Sequence, residues 1–435
     1  MTAWRVEPSG PLVGELAVNG DKSVSHRALL IGALCDGPVE VENWGDSADT
    51  RATLEAVRAL GVQVDDHGHG RLTVHGVGLD GLKPPVGTID VRNAGTLMRL
   101  LAGICAMQSR GTYVLDGDAS IRTRPMERVA APLRAMGATI ETTDGTPPVT
   151  VTSGAVLHGR EHAMEVSSAQ VKSAILLAGL RADGPTTVVE STPTRDHTER
   201  MLRAAGAQVQ SRGGRIVLDP PERLSLSRIE VPGDISSAAF LIVAATLIPE
   251  SRIFLRGIGI GAGRTGLLDV LERMGGRIAI FNRRTTDAGE PVADLEVAHA
   301  DLTASSIKAT EVPSLVDELP ILALAACCAR GKTRVRGAEE LRVKESDRLQ
   351  SVRDALRRVG GHIEVEDDGW FIRGVPARLR GGAIDPHGDH RIAMLGAIAG
   401  LYSEEGVAIA DPAAIDVSFP GFRPLIEAAT AVRRP

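Results

Sequence analysis

Aromatic side chains are scarce in this sequence: six Phe, three Trp and two Tyr make up 3% of 435 residues. A core with so few rings has to be built from Ala, Val, Leu and Ile. Cysteine is scarce too, and Cys35, Cys105, Cys327 and Cys328 all lie inside apolar runs without CxxC or Cys/His ligand spacing. This excludes a disulfide scaffold and a thiolate metal centre, and it predicts buried free thiols in a reducing compartment. Long apolar runs are missing: "AAFLIVAATLI" from Ala238 and "ILALAACCA" from Ile321 fall well short of the roughly 20 residues of a membrane span. The start, "MTAWRVEPSG", has no charged stretch leading into an apolar one, so no secretory leader and a cytoplasmic location are expected. A large charge of one sign is also absent, since 49 Lys and Arg stand against 55 Asp and Glu. The net charge of −6 speaks against a broad nucleic-acid footprint and leaves anion recognition to local clusters.

What is present is a repeat. "VEVENWGDSADTRATLEAVRALGVQV", "YVLDGDASIRTRPMERVAAPLRAMGATI", "VVESTPTRDHTERMLRAAGAQV", "IFLRGIGIGAGRTGLLDVLERMGGRI" and "TRVRGAEELRVKESDRLQSVRDALRRVGGHI" each read as strand, polar loop, amphipathic helix, Gly and second strand. A sixth, "VAIADPAAIDVSFPGFRPLIEAA", ends the chain. Upstream of each lies a polar start followed by an apolar helix, anchored at Gly20, Asn93, Ser167, Gly233, Pro313 and Gly388, at intervals of about 66 to 80 residues. A helix that is apolar all round belongs inside. The expected fold is therefore α/β (α+β) with two domains of three units each, buried helices central and sheets outside. The break falls near "IEVPGD", residues 229–234. The boundaries read are 21–231 for the first (lower) domain and 1–20 plus 232–435 for the second (upper) domain, with hinges near 19–22 and 229–234. The first strand, in "PLVGELAVNG", is expected to belong to the second domain, since a six-unit chain starting mid-unit would close its last sheet with its own N-terminus.

The starts of the apolar helices carry the chemistry. Helix N-termini present unpaired N–H groups and a partial positive charge, so converging ones make an anion site. Lys22, Ser23 and Arg27, then Asn93, Thr96 and Arg99, then Ser167, Ser168, Gln170 and Lys172, then Asp389, His390 and Arg391 occupy these starts. Ser25 and His26 are read as capping or packing. Loops before the amphipathic helices add Arg122, Arg124, Arg195, Lys344, Glu345 and Arg348. Ser, Thr, Asn and Asp are ordinary N-caps, but cations oppose the macrodipole there, so their recurrence points to a polyanionic ligand. Three tempting motifs are set aside. "GAGRTG" (261–266) fits a dinucleotide fingerprint only superficially, since every repeat has a loop there and no suitable acid follows. "GKT" from Gly331 leads into a strand, and "HGDH" (387–390) offers too few metal ligands. No metal and no cofactor are expected. "HGHG" from His67 is read as a turn between strands.

"DKSVSHRAL", "NAGTLMRLLAG", "GDASIRTRPMERV", "SSAQVKSAILLAGL", "TRDHTERML", "RVKESDRL" and "GDHRIAM", spread from Gly20 to Pro420, together resemble the 5-enolpyruvylshikimate-3-phosphate (EPSP) synthase family of enolpyruvyl transferases. The resemblance implies two domains of three βαβαββ repeats, an inside-out α/β barrel in each. It implies transfer of the enolpyruvyl group of phosphoenolpyruvate to the 5-hydroxyl of shikimate 3-phosphate, with release of phosphate through a tetrahedral intermediate. Shikimate 3-phosphate would be held by Lys22, Ser23, Arg27, Ser168, Ala169, Gln170, Arg195, Asp317 and Lys344. Phosphoenolpyruvate would be held by Lys22, Asn93, Gly95, Thr96, Arg124, Gln170, Arg348 and Arg391. Asp317 matches the family's base, and Glu345 with Lys22 a proton-transfer pair. The domains are expected to stand open when free and to close on the substrates. A monomer is expected, with no nucleic-acid or membrane partner.

The chain departs from the family's pattern at two places. Val417 stands where some members have a Lys associated with phosphoenolpyruvate, and Leu100 follows Arg99 where many have Pro. Two alternatives stay open. The enolpyruvyl transferase acting on UDP-N-acetylglucosamine generally has Lys-Asn at the first helix and a Cys in the loop equivalent to "GDASIRTRP", whereas this chain has Lys22-Ser23 and no Cys there. A non-catalytic anion-binding clamp would need the cations but not Asp317 and Glu345.

Overall fold

The computed structural model describes residues 3–431. It is a mixed α/β structure with twelve α-helices and six small sheets among the described residues. The helices are α1 (Lys22–Leu34), α2 (Ala48–Ala59), α3 (Gly95–Ala106), α4 (Glu127–Ala135), α5 (Ala169–Gly179), α6 (His197–Ala204), α7 (Ile235–Leu247), α8 (Gly266–Arg273), α9 (Leu319–Cys327), α10 (Arg348–Arg358), α11 (His390–Leu401) and α12 (Phe422–Ala431). Apolar and amphipathic helices alternate as the repeat requires. Every residue of α7, α9 and α11 is buried, whereas α6 and α8 bury one apolar face each, through Met201 and Leu202 or Leu267, Val270 and Leu271.

The chain divides into two compact units. One, here the N-proximal unit, comprises Gly20–Pro232 and Thr285–Pro291; the other, the C-proximal unit, comprises the residues up to Asn19, Gly233–Arg284 and those from Val292 on. In the N-proximal unit α3 packs on α1 and α5. A Cβ on Gly103 would lie 2.2 Å from the Ala174 carbonyl oxygen, so α3 and α5 meet backbone to backbone. In the C-proximal unit α7, α9 and α11 pack pairwise. Four of the chain's few aromatics gather there: Phe422 lies 6.5 Å from Trp4, 6.1 Å from Phe240 and 5.4 Å from Phe419, centroid to centroid. All four cysteines are buried free thiols. No helix among the described residues is long and apolar enough to cross a membrane.

The strand in front of a buried helix runs parallel to a strand that follows one, and the rest of each sheet is antiparallel. In the second, third and sixth repeats both strands flank the same helix: Ile89–Asp90 with Thr112–Asp116, Glu161–Ala163 with Thr186–Val189, and Gly382–Ile384 with Val407–Ile409. Repeats one and four exchange partners. Val13–Leu16 precedes α1 yet pairs with Arg252–Gly259 after α7, and Arg228–Glu230 precedes α7 yet pairs with Asp36–Glu42 after α1. The strand of "PLVGELAVNG" therefore lies in the C-proximal unit, but an earlier strand is the one that closes the last sheet. That edge belongs to Trp4–Val6, antiparallel to Val407–Ile409; the register of the first strand is set by the parallel slot beside Arg252–Gly259, which no local signal reveals. "HGHG" falls in the turn between Val64–Asp66 and Leu72–Val77.

Candidate active site

In the N-proximal unit the starts of α1, α3 and α5 carry the polar residues singled out above. Asp21 caps α1, accepting from Val24 N at 2.9 Å, which frees Ser25; its hydroxyl accepts from Gly45 N at 2.9 Å instead. Lys22 Nζ lies 2.8 Å from Asp49 Oδ2 on the first turn of α2. Arg27 is 3% exposed and held by neutral oxygens: Nε donates to Thr198 Oγ1 at 2.7 Å, Nη1 to Ser23 O at 2.9 Å and Nη2 to Ser173 Oγ at 2.9 Å. Among the described residues it makes no ion pair. Burial, aided by the neighbouring Arg195 charge, pulls its pKa down to about 10, against the opposing pull of Glu199, Glu290 and Asp21. The same environment keeps His26 neutral: burial first, then Lys22 and Arg27, bring its pKa to about 3 while Nδ1 pairs with Thr53 Oγ1 at 2.5 Å.

Gln170 is oriented by its own amide. Its Oε1 accepts from Arg99 Nη1 at 2.7 Å and its Nε2 donates to Thr96 Oγ1 at 2.9 Å. Gly95 leaves a bare wall beside two guanidinium groups, since a Cβ there would lie 2.7 Å from Arg99 Nη1 and 3.0 Å from Arg124 Nη1. Asn93 precedes the turn, its carbonyl accepting from Gly95 N at 2.9 Å. Ser168 is the N-cap residue of α5 and leaves its hydroxyl out of the cap, and Ala169 opens the helix. Two cations grouped with these belong elsewhere. Lys172 is buried between Glu190 at 2.9 Å and Glu199 at 2.7 Å, and Arg122 pairs with Asp116 at 2.6 Å on the surface. Arg124 and Arg195 are half-buried.

The C-proximal unit gathers Asp317, Lys344, Glu345, Arg348, Asp389 and Arg391. Arg348 opens α10 and is 1% exposed. Its Nε lies 2.8 Å from Asp389 Oδ2, its Nη2 2.7 Å from Glu345 Oε2 and its Nη1 3.7 Å from Asp317 Oδ1. Burial opposes the charge on Arg348, but Asp389, Glu345 and Asp317 together outweigh it and raise the pKa further. Burial likewise opposes ionisation of Asp389, and Arg348 overcomes it, holding that carboxyl below the usual range. Asp389 also caps α11 through Arg391 N at 2.9 Å. Arg391 Nη1 donates to the Asp317 carbonyl at 2.7 Å, and Lys344 Nζ stands 3.9 Å from Asp317 Oδ1 and 3.1 Å from Glu340 Oε1. Val417 ends the short 3-10 helix Pro412–Val417.

Sequence reasoning passed over several partners. Arg264 of the "GAGRTG" loop is buried, with Nη2 2.9 Å from Asp234 Oδ1 and 3.2 Å from Ser236 Oγ, and Ser236 in turn donates to Glu318. Asp49, Ser173 and Thr198 serve Lys22 and Arg27, yet as an acid in a helix's first turn and two helix hydroxyls they give no signal of their own. Asp389, by contrast, was among the helix-start residues singled out, as the third Gly-Asp start after Gly20-Asp21 and Gly233-Asp234.

The family model for EPSP synthase (3-phosphoshikimate 1-carboxyvinyltransferase) matches residues 6–426. A 3-phosphoshikimate 1-carboxyvinyltransferase of Methylococcus capsulatus is 49% identical over 416 residues, covering 95% of this chain and 94% of that protein. One of Acidithiobacillus ferrooxidans is 48% identical over 429 residues, covering 99% and 98%. The solved EPSP synthase of Acinetobacter baumannii superposes with a TM-score of 0.89 at 42% identity, covering 99% of this chain and 98% of that one. With the match running through both units and all six helix starts, the chain belongs to the EPSP synthase family.

Proposed function

We propose that the two clusters serve one reaction: the N-proximal cations, together with Lys344, Arg348 and Arg391, hold the substrates' anionic groups, and Asp317 and Glu345, with Lys22, move the protons. The activity is that of a 3-phosphoshikimate 1-carboxyvinyltransferase of the shikimate pathway, acting on phosphoenolpyruvate and shikimate 3-phosphate. In this reading Lys22, Ser23, Arg27, Ser168, Ala169, Gln170, Arg195, Asp317 and Lys344 bind shikimate 3-phosphate. Lys22, Asn93, Gly95, Thr96, Arg124, Gln170, Arg348 and Arg391 bind phosphoenolpyruvate. The observation that carries it is Arg27, a buried cation held by two hydroxyls and a carbonyl, whose charge is left for an anion.

The chemistry follows from the carboxylates. Asp317 takes the proton of the 5-hydroxyl as that oxygen bonds to carbon 2 of phosphoenolpyruvate, and Glu345 with Lys22 delivers a proton to carbon 3. The product of this addition is a tetrahedral phosphate ketal. Loss of a proton from carbon 3 and of phosphate from carbon 2 restores the double bond. Arg348 and Arg391 stabilise the charge that develops on the phosphoryl and carboxylate groups. Addition followed by elimination requires no redox partner, and the reading assigns neither cofactor nor metal.

We read the two compact units as the family's two domains, each an inside-out barrel of three βαβαββ repeats hinged near 19–22 and 229–234. The complete burial of α7, α9 and α11 supports this. A single chain carries every residue assigned, and four buried thiols fit a cytoplasmic setting. The deciding measurement is phosphate release from phosphoenolpyruvate with shikimate 3-phosphate as acceptor. Release only with UDP-N-acetylglucosamine would overturn the assignment, and no release with either would favour a binding clamp.

A further inference from the structure

The hairpin of strands Arg277–Thr285 and Pro291–Ala298 lies in the C-proximal unit up to Arg284 and from Val292, but its tip, Thr285–Pro291, belongs to the N-proximal unit. The tip is built as core. Ala288 is fully buried, and Thr286 and Glu290 are buried too. Thr286 N donates to Glu290 O at 2.9 Å and Glu290 N to Thr286 Oγ1 at 3.1 Å, which closes the turn. Gly289, at φ 82°, lies against Arg200, whose Nη1 donates to its carbonyl at 3.3 Å. Glu290 Oε1 pairs with His197 Nδ1 at 2.9 Å, and both side chains are at least nine-tenths buried.

The first turn of α6 thus spends three consecutive side chains on three separate partners. His197 meets Glu290, Thr198 holds Arg27 and Glu199 holds Lys172. No side chain caps this helix, because Asp196 is turned to Arg200 at 2.8 Å. The placement of the turn therefore depends on those outward contacts, and Arg195 stands directly before it. Glu290 also acts on the Arg27 charge through space.

We propose that Glu290 is a positioning residue for shikimate 3-phosphate: through His197 it sets the first turn of α6, and with it the Thr198 hydroxyl behind Arg27 and the approach of Arg195. This rests on the reading that Arg27 and Arg195 bind that substrate. Steady-state kinetics on the full chain test it with Glu290→Ala, Glu290→Gln, His197→Ala and the Glu290→Ala/His197→Ala pair, alongside Arg27→Ala. Glu290→Ala raises the KM for shikimate 3-phosphate roughly fivefold to tenfold, while kcat and the KM for phosphoenolpyruvate stay within about twofold. Glu290→Gln, which keeps an acceptor for His197, restores most of the loss, and the double variant is no worse than either single one. An unchanged KM for shikimate 3-phosphate in Glu290→Ala overturns the proposal. So does a parallel rise in both KM values with a lowered melting temperature, which marks a merely structural role; Glu290→Gln decides the matter if the Ala variant does not fold. An unaffected Arg27→Ala instead overturns the site reading on which the proposal stands.

Discussion

Arg27 and Arg348 are both arginines, both almost fully buried, and both near the start of a helix, yet they live in opposite surroundings. Arg27 is surrounded by hydroxyls and a carbonyl, with its counter-charges at a distance. Arg348 has three carboxylates at 2.7 to 3.7 Å. A buried guanidinium without a partner is costly, and the N-proximal unit bears that cost where an anionic ligand would relieve it. In the C-proximal unit Arg348 is already compensated, so it fixes carboxylates in place. The difference teaches that a run of Arg and Lys at helix starts can mean two things: charge reserved for a ligand, or charge spent on holding acids ready for proton transfer.

The contrast breaks most sharply at Asp317. Asp317→Ala lowers kcat by about 10²–10⁴, the usual range for loss of a general base, while calorimetry finds both substrates still bound; near-normal turnover would remove Asp317 from that role. Arg348→Met strands Asp389 and Glu345 without their cation, and denaturant unfolding registers a loss of about 3–5 kcal/mol. Arg27→Met removes no ion pair, so its stability changes less; its KM for shikimate 3-phosphate rises roughly tenfold to a hundredfold, the worth of a charged hydrogen bond. Equal stability losses in the two variants would erase the distinction drawn here. Gly95→Ala pushes a methyl against Arg99 and Arg124, and it raises the KM for phosphoenolpyruvate by several-fold while that for shikimate 3-phosphate moves less.

Acid separates the two regions more gently. His26 has a folded pKa of about 3 against an ordinary 6.5, so between those values the unfolded chain binds the extra proton. The stability that depends on a neutral His26 is complete above pH 6.5 and declines as pH falls toward 3, by about 1.4 kcal/mol at pH 5.5. His26→Gln removes that slope from melting curves taken between pH 7 and 5. Asp389, whose pKa is depressed, contributes stability above the ordinary carboxylate pKa of about 3.9 and loses it only as pH falls below that value. Asp389 is therefore silent between pH 7 and 5, where the His26 slope is read.

The sequence disclosed these regions unevenly. The alternation of apolar and amphipathic helices was legible because a fully buried helix is apolar on every face, as α7 is from Ile235 to Leu247. Cations at helix starts were legible because they oppose the dipole. Lys172 was not, because its partners Glu190 and Glu199 lie 18 and 27 residues along the chain and only packing brings them round it. Arg264 hid inside a motif that suggested another ligand altogether. Glu290 sits in "DAGEPVADL", an ordinary turn sequence whose burial depends on which unit receives it. The exchange of Val13–Leu16 and Arg228–Glu230 leaves no local trace, because each strand's partner lies more than 180 residues away along the chain.

That exchange governs how the protein can be cut. A fragment running from Gly233 onward would lack both Val13–Leu16 and Trp4–Val6, baring the edges of two sheets to other chains. A Gly20–Pro232 fragment would keep Arg228–Glu230 beside Asp36–Glu42 and miss only the seven-residue tip. On the ribosome the same asymmetry sets an order. The contiguous stretch can collapse while the rest is still being made, whereas residues 4–6 must wait for their partners at 407–409. Residues 4–6, made long before residues 407–409, are thus among the last to find their place.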